Sequence, residues 1–204
     1  MPLGALIVAC GTVAGGEIAN PTVMVGSVSV AARMVETFRQ INVERIVVVY
    51  CAKRFPALAK QIAKTGAIGI DCGETPLDMF ACVKIGVRYL EQKCSRLFLS
   101  TVDTPLFTAD TLQTLLCAKE EIANPVYQNQ AGHPLLLAQS MFAPLLAYDG
   151  TDGLRGFLMA SVEKRGFVTV DDGGILCNLK TTEDVKSVVD AYDKKSLHVA
   201  VRLR

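Results

Sequence analysis

Ile46-Val47-Val48-Val49 is a run of apolar residues that no polar position interrupts. A strand with one face in water alternates apolar and polar residues, so a continuous run predicts a strand that is covered on both faces. Such strands are typical of parallel sheets with helices on each side. We therefore expect an α/β protein, a three-layer α/β/α sandwich around a Rossmann-like, mostly parallel sheet.

Other apolar runs alternate with amphipathic stretches on both sides of this run. Two strand candidates follow each other without a helix near 126–137, and antiparallel pairing is expected there. No linker or repeat divides the chain, so we predict a single domain over 1–204, with 196–204 as a short C-terminal strand or tail. The pattern predicts strands at 3–10, 45–50, 67–70, 96–100, 126–128, 134–137, 167–170 and 175–177, and helices at 30–40, 56–64, 76–92, 109–121, 140–147, 154–163 and 182–193.

The composition excludes several classes of protein. Half of the 204 residues are hydrophobic, 20% are charged and the mean hydropathy is +0.33, which excludes a disordered chain. Twenty-one Lys and Arg against twenty Asp and Glu leave a net charge of +1, so neither nucleic acid nor a membrane surface is an expected partner. The apolar runs are too short to span a bilayer. Seven cysteines without a CxxC pair predict reduced, packed thiols in the cytoplasm rather than a zinc site.

The residues that follow the predicted strands are the first candidates for a site, because ligands of parallel α/β sheets bind beyond the carboxyl ends of the strands. A loop of small residues follows the first strand, and its backbone N–H groups could contact phosphate oxygens. It contains neither a Walker A nor a GxGxxG signature, and a turn without a ligand explains it equally well. Its candidate nucleotide-binding residues are Ala9, Cys10, Gly11, Thr12 and Gly15.

Two further strand ends carry oxygen ligands. Asp103 follows the strand at 96–100, where a carboxylate is a suitable ligand for Mg²⁺ that carries substrate phosphates. The alternative role for Asp103 is to cap the next helix, although Thr108 matches that position better. Asn178 follows the strand at 175–177 and could reach the same metal or a phosphate.

Two other residues are candidates for contact with a substrate. His133 lies between Gly132 and Pro134, which restrict its backbone and favour a substrate-facing loop over an ordinary packed histidine. Arg155 lies in the first turn of a predicted helix and could bind an anionic group, and a solvent-exposed arginine explains it equally well.

In this order and at these spacings, the segments resemble the MobA-like nucleotidyltransferases, especially the molybdenum-cofactor cytidylyltransferases. The most specific pieces are 102–105, 132–134, 150–155 and 179–184, and 76–90 is similar to the loop and helix that face the base and ribose in the family. The resemblance implies the fold of the nucleotide-diphospho-sugar transferases and binding of a nucleoside triphosphate at the first loop. It also implies Mg²⁺-assisted transfer of the nucleotidyl group to a phosphorylated acceptor such as a molybdopterin-type cofactor.

The resemblance further implies roles for individual residues. Asp103 matches the principal metal aspartate and is a catalytic candidate, and Asn178 matches a second metal position. Lys84 falls in the helix that faces the nucleotide, whereas His133 and Arg155 face the acceptor. Lys180 is the other catalytic candidate and occupies an acidic or amide position of the motif, where its ammonium either repels Mg²⁺ or contacts the phosphates directly.

The first loop departs from the family pattern, which usually reads Leu-Ala-Ala-Gly-x-Ser-x-Arg-Met-Gly with a lysine three residues later. Here Gly15 stands at the arginine, Glu17 at the last glycine and Asn20 at the lysine. Loss of one cation that stabilises the transferred phosphoryl group costs about 100- to 1,000-fold in rate. Three interpretations remain open. They are an active enzyme in which Lys84, Lys180 or Arg155 replaces the lost cations, a catalytically impaired nucleotide- or cofactor-binding module, and an interaction domain that has lost its ligand.

Overall fold

The strands of the protein are short, and most of them belong to one sheet. The structure is a computed structural model that describes residues 2–10, 12–13, 16–17, 20–25, 28–73 and 78–179. The strands in this part of the chain are β1 (Leu3–Ala9), β2 (Thr12–Val13), β3 (Gly16–Glu17), β4 (Met24–Val25), β5 (Val28–Ser29), β6 (Arg45–Tyr50), β7 (Ile68–Asp71), β8 (Arg96–Thr101), β9 (Ile122–Tyr127), β10 (Gln130–Ala131), β11 (Leu135–Ala138) and β12 (Arg165–Thr169).

The centre of the sheet is parallel, as the apolar runs predict. Eight of the described strands form this sheet, in the order β10-β9-β11-β8-β1-β6-β7, with β12 paired to β9. β8, β1, β6 and β7 are parallel neighbours. β11 is antiparallel to both β8 and β9, which confirms the antiparallel pairing expected near 126–137. Two small ribbons, β2 with β3 and β4 with β5, lie outside the main sheet and were not predicted.

Helices cover both faces of this sheet and complete the three layers. The helix α1 contacts α2 and α4, while α3 contacts α5 and α6, and both α1 and α3 pack on β1 and β6. Side-chain caps begin several of them, since Ser29, Asp78 and Thr108 each accept a hydrogen bond from a backbone N–H of the first turn. The helices of the described part are α1 (Val30–Gln40), α2 (Leu58–Thr65), α3 (Met79–Leu90), α4 (Ala109–Leu116), α5 (Phe142–Ala147) and α6 (Gly153–Ala160).

The core lies along the central strands. Val47, Val48 and Val49 are 0% exposed, which confirms that the run in β6 is covered on both faces. The helix α3 packs very closely on β1, because a Cβ at Gly86 would lie 2.2 Å from Leu6 Cδ1. Only a glycine allows this approach, which holds α3 close to β1.

One predicted helix is too long and one predicted strand is wrong. The predicted helix at 109–121 ends at Leu116, where the guanidinium of Arg96 donates to the carbonyl oxygens of Leu116 at 2.7 Å and Ala118 at 3.1 Å. The predicted strand at 175–177 is a 3₁₀ helix over Gly173–Leu176, because the carboxylate of Asp172 caps Gly174 N at 2.9 Å and tightens the turn.

The predicted helix at 182–193, the tail at 196–204 and Lys180 lie outside the described residues. No helix in the described part of the chain combines the length and the apolar composition needed to cross a membrane.

Candidate active site

The carboxyl ends of the four parallel strands meet at one edge of the sheet. β1 is in register with β6 up to Ala9 and Tyr50, β6 with β7 up to Tyr50 and Asp71, and β1 with β8 up to Val8 and Thr101. A backbone hydrogen bond of 3.0 Å from Val102 N to Val8 O extends the contact past the end of β8. The strand-end candidates Ala9, Cys10 and Asp103 therefore lie at the same edge, as predicted.

Asp103 and Asn178 are brought together by the backbone. The amide of Leu179 donates to the carbonyl oxygen of Asp103 at 2.7 Å, so Asn178 stands beside the turn that carries Asp103. The Oδ1 atom of Asp103 is buried and has no hydrogen-bond partner among the described residues. Asn178 is exposed. A buried carboxylate oxygen without a partner beside an accessible amide oxygen is suited to a hard divalent cation.

His133 lies close to Asp103. Its Nδ1 is buried and lacks a hydrogen-bond partner in the described part of the chain. Burial lowers the pKa of the imidazole, while the charge of Asp103 and a hydrogen bond with the backbone of Leu99 oppose this shift. The imidazole is therefore neutral at neutral pH. We call Asp103, His133 and Asn178 the oxygen end of the site.

A carboxylate that the sequence analysis did not identify positions His133. Asp172 accepts hydrogen bonds from Thr108 N at 2.8 Å and from Thr111 Oγ1 at 2.6 Å, and these bonds attach the Gly173–Leu176 turn to α4. This turn presents Ile175 O to the backbone N–H of His133 at 3.1 Å. A Cβ at Gly132 would lie 2.3 Å from the same carbonyl oxygen, so the loop requires glycine there.

A cavity of about 370 Å³ begins at His133. Arg155 and Arg165 both line it, and none of the described lining residues is acidic. The Nε of Arg165 donates to the buried Asn124 Oδ1 at 2.7 Å, and burial lowers the pKa of this guanidinium, which stays charged at neutral pH. Arg155 is exposed at the start of α6. The structure thus brings His133 and Arg155 to one positively charged cavity, together with Arg165, which the sequence analysis missed.

Lys84 lies on α3, and its described contacts are with Tyr148, Phe80 and Asp149 rather than with the first loop. Its Nζ donates to the carbonyl oxygen of Tyr148 and stands 5.1 Å from the ring centroid of Phe80. Its charge also lowers the pKa of Asp149, after the larger effects of hydrogen bonds from Thr151. Lys84 therefore attaches α3 to the turn that precedes α6.

Part of the first loop is described only as backbone or not at all. Gly11, Gly15 and Lys180 lie outside the described residues, and Thr12 belongs to β2. Asn20, which the sequence resemblance aligns with the family's lysine, is described. Its side-chain Oδ1 accepts from Thr22 N at 2.9 Å and from Thr22 Oγ1 at 2.7 Å, so it stabilises a turn.

Three cysteine sulfurs converge at the other end of the strand edge. The Sγ atoms of Cys10, Cys72 and Cys82 all lie within 4.8 Å of one another. Cys10 follows β1, Cys72 follows β7, and Cys82 lies in the first turn of α3. We call these residues the sulfur end. These cysteines are free thiols, as the sequence predicts, but their convergence is not visible in it, because the three residues are far apart along the chain.

The three thiols at the sulfur end shift one another's pKa. The neighbouring thiol of Cys10 lowers the pKa of Cys82, and Cys82 raises the pKa of Cys10. Burial raises the pKa of Cys72 to about 11.

A comparison with known proteins identifies the family of this chain. Residues 15–165 match the model of the MobA-like NTP transferase domain, which is more than half of the chain. The chain belongs to the MobA-like NTP transferase family. This family assignment confirms the resemblance inferred from the sequence and makes the chain a nucleotidyltransferase of the MobA-like type. No curated protein matches the chain.

Solved structures share the fold of this MobA-like domain at low sequence identity. A nucleotidyl transferase from Methanothermobacter has a TM-score of 0.78 at 15% identity, with 95% of this chain and 99% of that chain covered. A mycobacterial homologue of Rv0371c from strain JC1 has a TM-score of 0.77 at 16% identity, with 94% and 97% covered. The 4-diphosphocytidyl-2C-methyl-D-erythritol synthase of Anaerococcus prevotii has a TM-score of 0.72 at 11% identity, with 94% and 98% covered. They confirm the predicted nucleotide-diphospho-sugar transferase fold.

Proposed function

We propose that this MobA-like protein transfers a nucleotidyl group from a nucleoside triphosphate to a phosphorylated acceptor, a molybdopterin-type cofactor, in the cytoplasm. The observation that carries the proposal is a pair of buried atoms, Asp103 Oδ1 and His133 Nδ1, that have no hydrogen-bond partner among the described residues and lie at the edge where parallel α/β sheets bind ligands. A buried polar atom without a partner costs free energy, so its retention points to a ligand that pairs with it.

The proposed metal is Mg²⁺, held by Asp103 and Asn178. Both offer oxygen atoms, which hard divalent cations prefer, and the bond from Leu179 N to Asp103 O keeps the two residues adjacent. When bound, Mg²⁺ neutralises charge on the phosphates during transfer. A manganese complex of Rv0371c from Mycobacterium tuberculosis, 14% identical with a TM-score of 0.74 over 93% of this chain and 99% of that chain, supports divalent metal use in this fold.

The proposed acceptor site is the cavity at His133. Arg155 and Arg165 supply two positive charges and no described lining residue supplies a negative one, which favours an anionic acceptor group. Leu154, Leu158 and Met159 line the same cavity and offer apolar surface for a flat ring system. A phosphorylated pterin combines these two chemical features.

In the proposed reaction an acceptor phosphate oxygen attacks the α-phosphorus of the nucleotide. The new P–O bond forms as the bond between the α-phosphorus and its bridging oxygen to the β-phosphate breaks. Pyrophosphate leaves with that electron pair, and the acceptor monophosphate becomes a diphosphate ester. Arg155 and Arg165 orient the acceptor phosphate, and the neutral imidazole of His133 contacts it without adding charge. Ala9, Cys10, Gly11, Thr12, Gly15 and Lys84 remain the proposed nucleotide contacts, and Lys180 the proposed cation.

A catalytically impaired binding module is the second candidate function. Asn20 supports it, because an uncharged side chain that stabilises a local turn replaces a cation that would contact the triphosphate. On this alternative the chain binds the nucleotide or the cofactor without turnover.

The test is calorimetry with CTP, GTP and ATP, each with and without Mg²⁺, followed by a pyrophosphate-release assay with a molybdopterin-type acceptor. Tight Mg²⁺-dependent binding with release supports the enzyme. Binding without release supports the binding module, and no binding of any triphosphate contradicts both. The double substitution Gly15→Arg with Asn20→Lys is expected to raise triphosphate affinity at least about tenfold, because it restores charge-assisted phosphate contacts. An unchanged affinity would contradict the placement of the phosphate loop.

A further inference from the structure

Beyond the proposed function, we propose that Cys10, Cys72 and Cys82 form a binding site for one thiophilic metal ion, Zn²⁺, at the sulfur end of the strand edge. Zn²⁺ is bound in proteins by thiolates at about 2.3 Å in a tetrahedral arrangement, which sets sulfur–sulfur distances of about 3.8 Å. All three sulfur pairs already lie within 4.8 Å. Each pair therefore needs to close by at most about 1 Å.

Secondary structure holds each ligand in place. Cys10 directly follows β1 and is 2% exposed, and the carboxyl end of β1 is paired on both sides, with β6 and with β8. The backbone of Cys72 donates to Tyr50 O at 2.8 Å, which ties the end of β7 to β6. Cys82 lies in the first turn of α3 and is 0% exposed. The close contact of Gly86 with Leu6 holds α3 against β1. Ligands on such elements are preorganised for a metal.

The other cysteines show what an ordinary packed thiol looks like in this fold. Cys94 is also buried, and its Sγ donates to Leu90 O at 3.6 Å, so its partner is a carbonyl one helical turn away. Cys51 follows β6 at the same edge as the sulfur end, but its Sγ donates to Gly73 O at 3.4 Å. Neither of these two belongs to the three-sulfur group. The three-sulfur contact is therefore specific to Cys10, Cys72 and Cys82.

The site has a route to solvent and a free coordination position. Cys72 is partly exposed, whereas Cys10 and Cys82 are buried, so an ion enters past Cys72. Three protein ligands leave the fourth position of a tetrahedral ion for a water molecule. The soft sulfur ligands select Zn²⁺ over Mg²⁺, which the oxygen end suits better.

The experiment uses the full chain with its cysteines reduced. A chelator first removes bound metal, and the chelator is then removed from the protein. Zn²⁺ is titrated against a chromophoric competitor, Co²⁺ is titrated by its thiolate charge-transfer absorption, and MgCl₂ serves as the ion that should give no signal. We expect one Zn²⁺ per chain and a sulfur-to-cobalt band. Cys82→Ser and Cys72→Ser should each weaken Zn²⁺ binding at least about 100-fold, because each removes a direct ligand and loss of a supporting residue alone costs about 10- to 100-fold.

Cys51→Ser is the matched control, because Cys51 lies at the same strand edge outside the three-sulfur group. It should keep the stoichiometry and the cobalt band. X-ray absorption at the zinc edge of the unsubstituted protein gives a second measurement that does not depend on any variant folding, and should show three sulfur neighbours at about 2.3 Å. Substoichiometric binding, a zinc shell of nitrogen and oxygen alone, or equal loss in Cys51→Ser would each overturn the site. A disulfide within the trio combined with no zinc binding after reduction would also overturn it.

Discussion

The oxygen end and the sulfur end occupy the same edge of one sheet but differ in chemistry. At the oxygen end, a carboxylate and an imidazole each keep a buried atom without a hydrogen-bond partner among the described residues. At the sulfur end, three thiol sulfurs lie within 4.8 Å of one another. The first arrangement suits a hard cation and phosphate oxygens, and the second suits a soft cation. One row of strand ends can therefore carry two sites of different ligand preference.

Asp103→Asn is the change with the largest expected effect. It removes the charge that would hold the metal at the oxygen end, and we expect nucleotidyl transfer to fall about 100- to 1,000-fold, as for loss of a key electrostatic group. Zn²⁺ binding at the sulfur end should not change. The measurement is pyrophosphate release alongside zinc titration, with Asp110→Asn on the exposed face of α4 as the control. Loss of both nucleotidyl transfer and Zn²⁺ binding in Asp103→Asn would show that the oxygen end and the sulfur end are not independent.

Arg155→Gln tests the acceptor cavity of the oxygen end. Loss of one charge-assisted hydrogen bond to a phosphate is worth about 1.5–3 kcal/mol, so the acceptor KM should rise about 10- to 100-fold. Nucleotide affinity should stay the same, because we propose that the nucleotide binds at the first loop and the acceptor in the separate cavity. The matched control is Arg88→Gln, which changes an exposed arginine on α3 that does not line the cavity. An unchanged acceptor KM would remove Arg155 from the acceptor site.

Gly86→Ala tests how the sulfur end is built. The new Cβ would meet Leu6 Cδ1 at 2.2 Å, and overpacking of this kind costs about 1–3 kcal/mol of the free energy of unfolding. Because α3 carries Cys82, the same change should weaken Zn²⁺ binding. Urea denaturation measures the first effect and zinc titration the second. Gly166→Ala is the control, because its close contact is with the exposed side chain of Glu120, which can rotate away.

The pH dependence of stability tests the oxygen end. Burial puts the pKa of His133 in the folded chain below its ordinary value near 6.5, so between these two values the unfolded chain binds more protons. The free energy of unfolding should therefore fall as the pH drops below about 6.5, by at most about 1.4 kcal/mol per pH unit. Denaturation of the metal-free chain from pH 7.5 to 5 measures it. His133→Gln should flatten this dependence, and an unchanged slope in this variant would show that another group causes it.

The local sequence pattern predicted helices and strands well where contacts between neighbouring residues decide the structure. The unbroken apolar run of β6, the cap at Thr108 and the boundaries of α1 all follow from neighbouring residues. The prediction failed where a distant side chain intervenes. Arg96 ends α4 by binding its last carbonyl groups, and Asp172 converts the expected strand at 175–177 into a 3₁₀ turn. Neither partner is visible from the local periodicity.

The sequence by itself determined the fold class, the family and the strand ends at which Asp103 and Cys10 lie, because these depend on the order of residues along the chain. Only the tertiary structure decided which side chains meet there. The order β8-β1-β6-β7 and the close packing of α3 on β1 bring Cys72 and Cys82 to Cys10. Arg165 reaches the cavity of His133 because β12 pairs with β9. Contacts between residues far apart in sequence depend on strand order and helix packing, which local propensity does not encode.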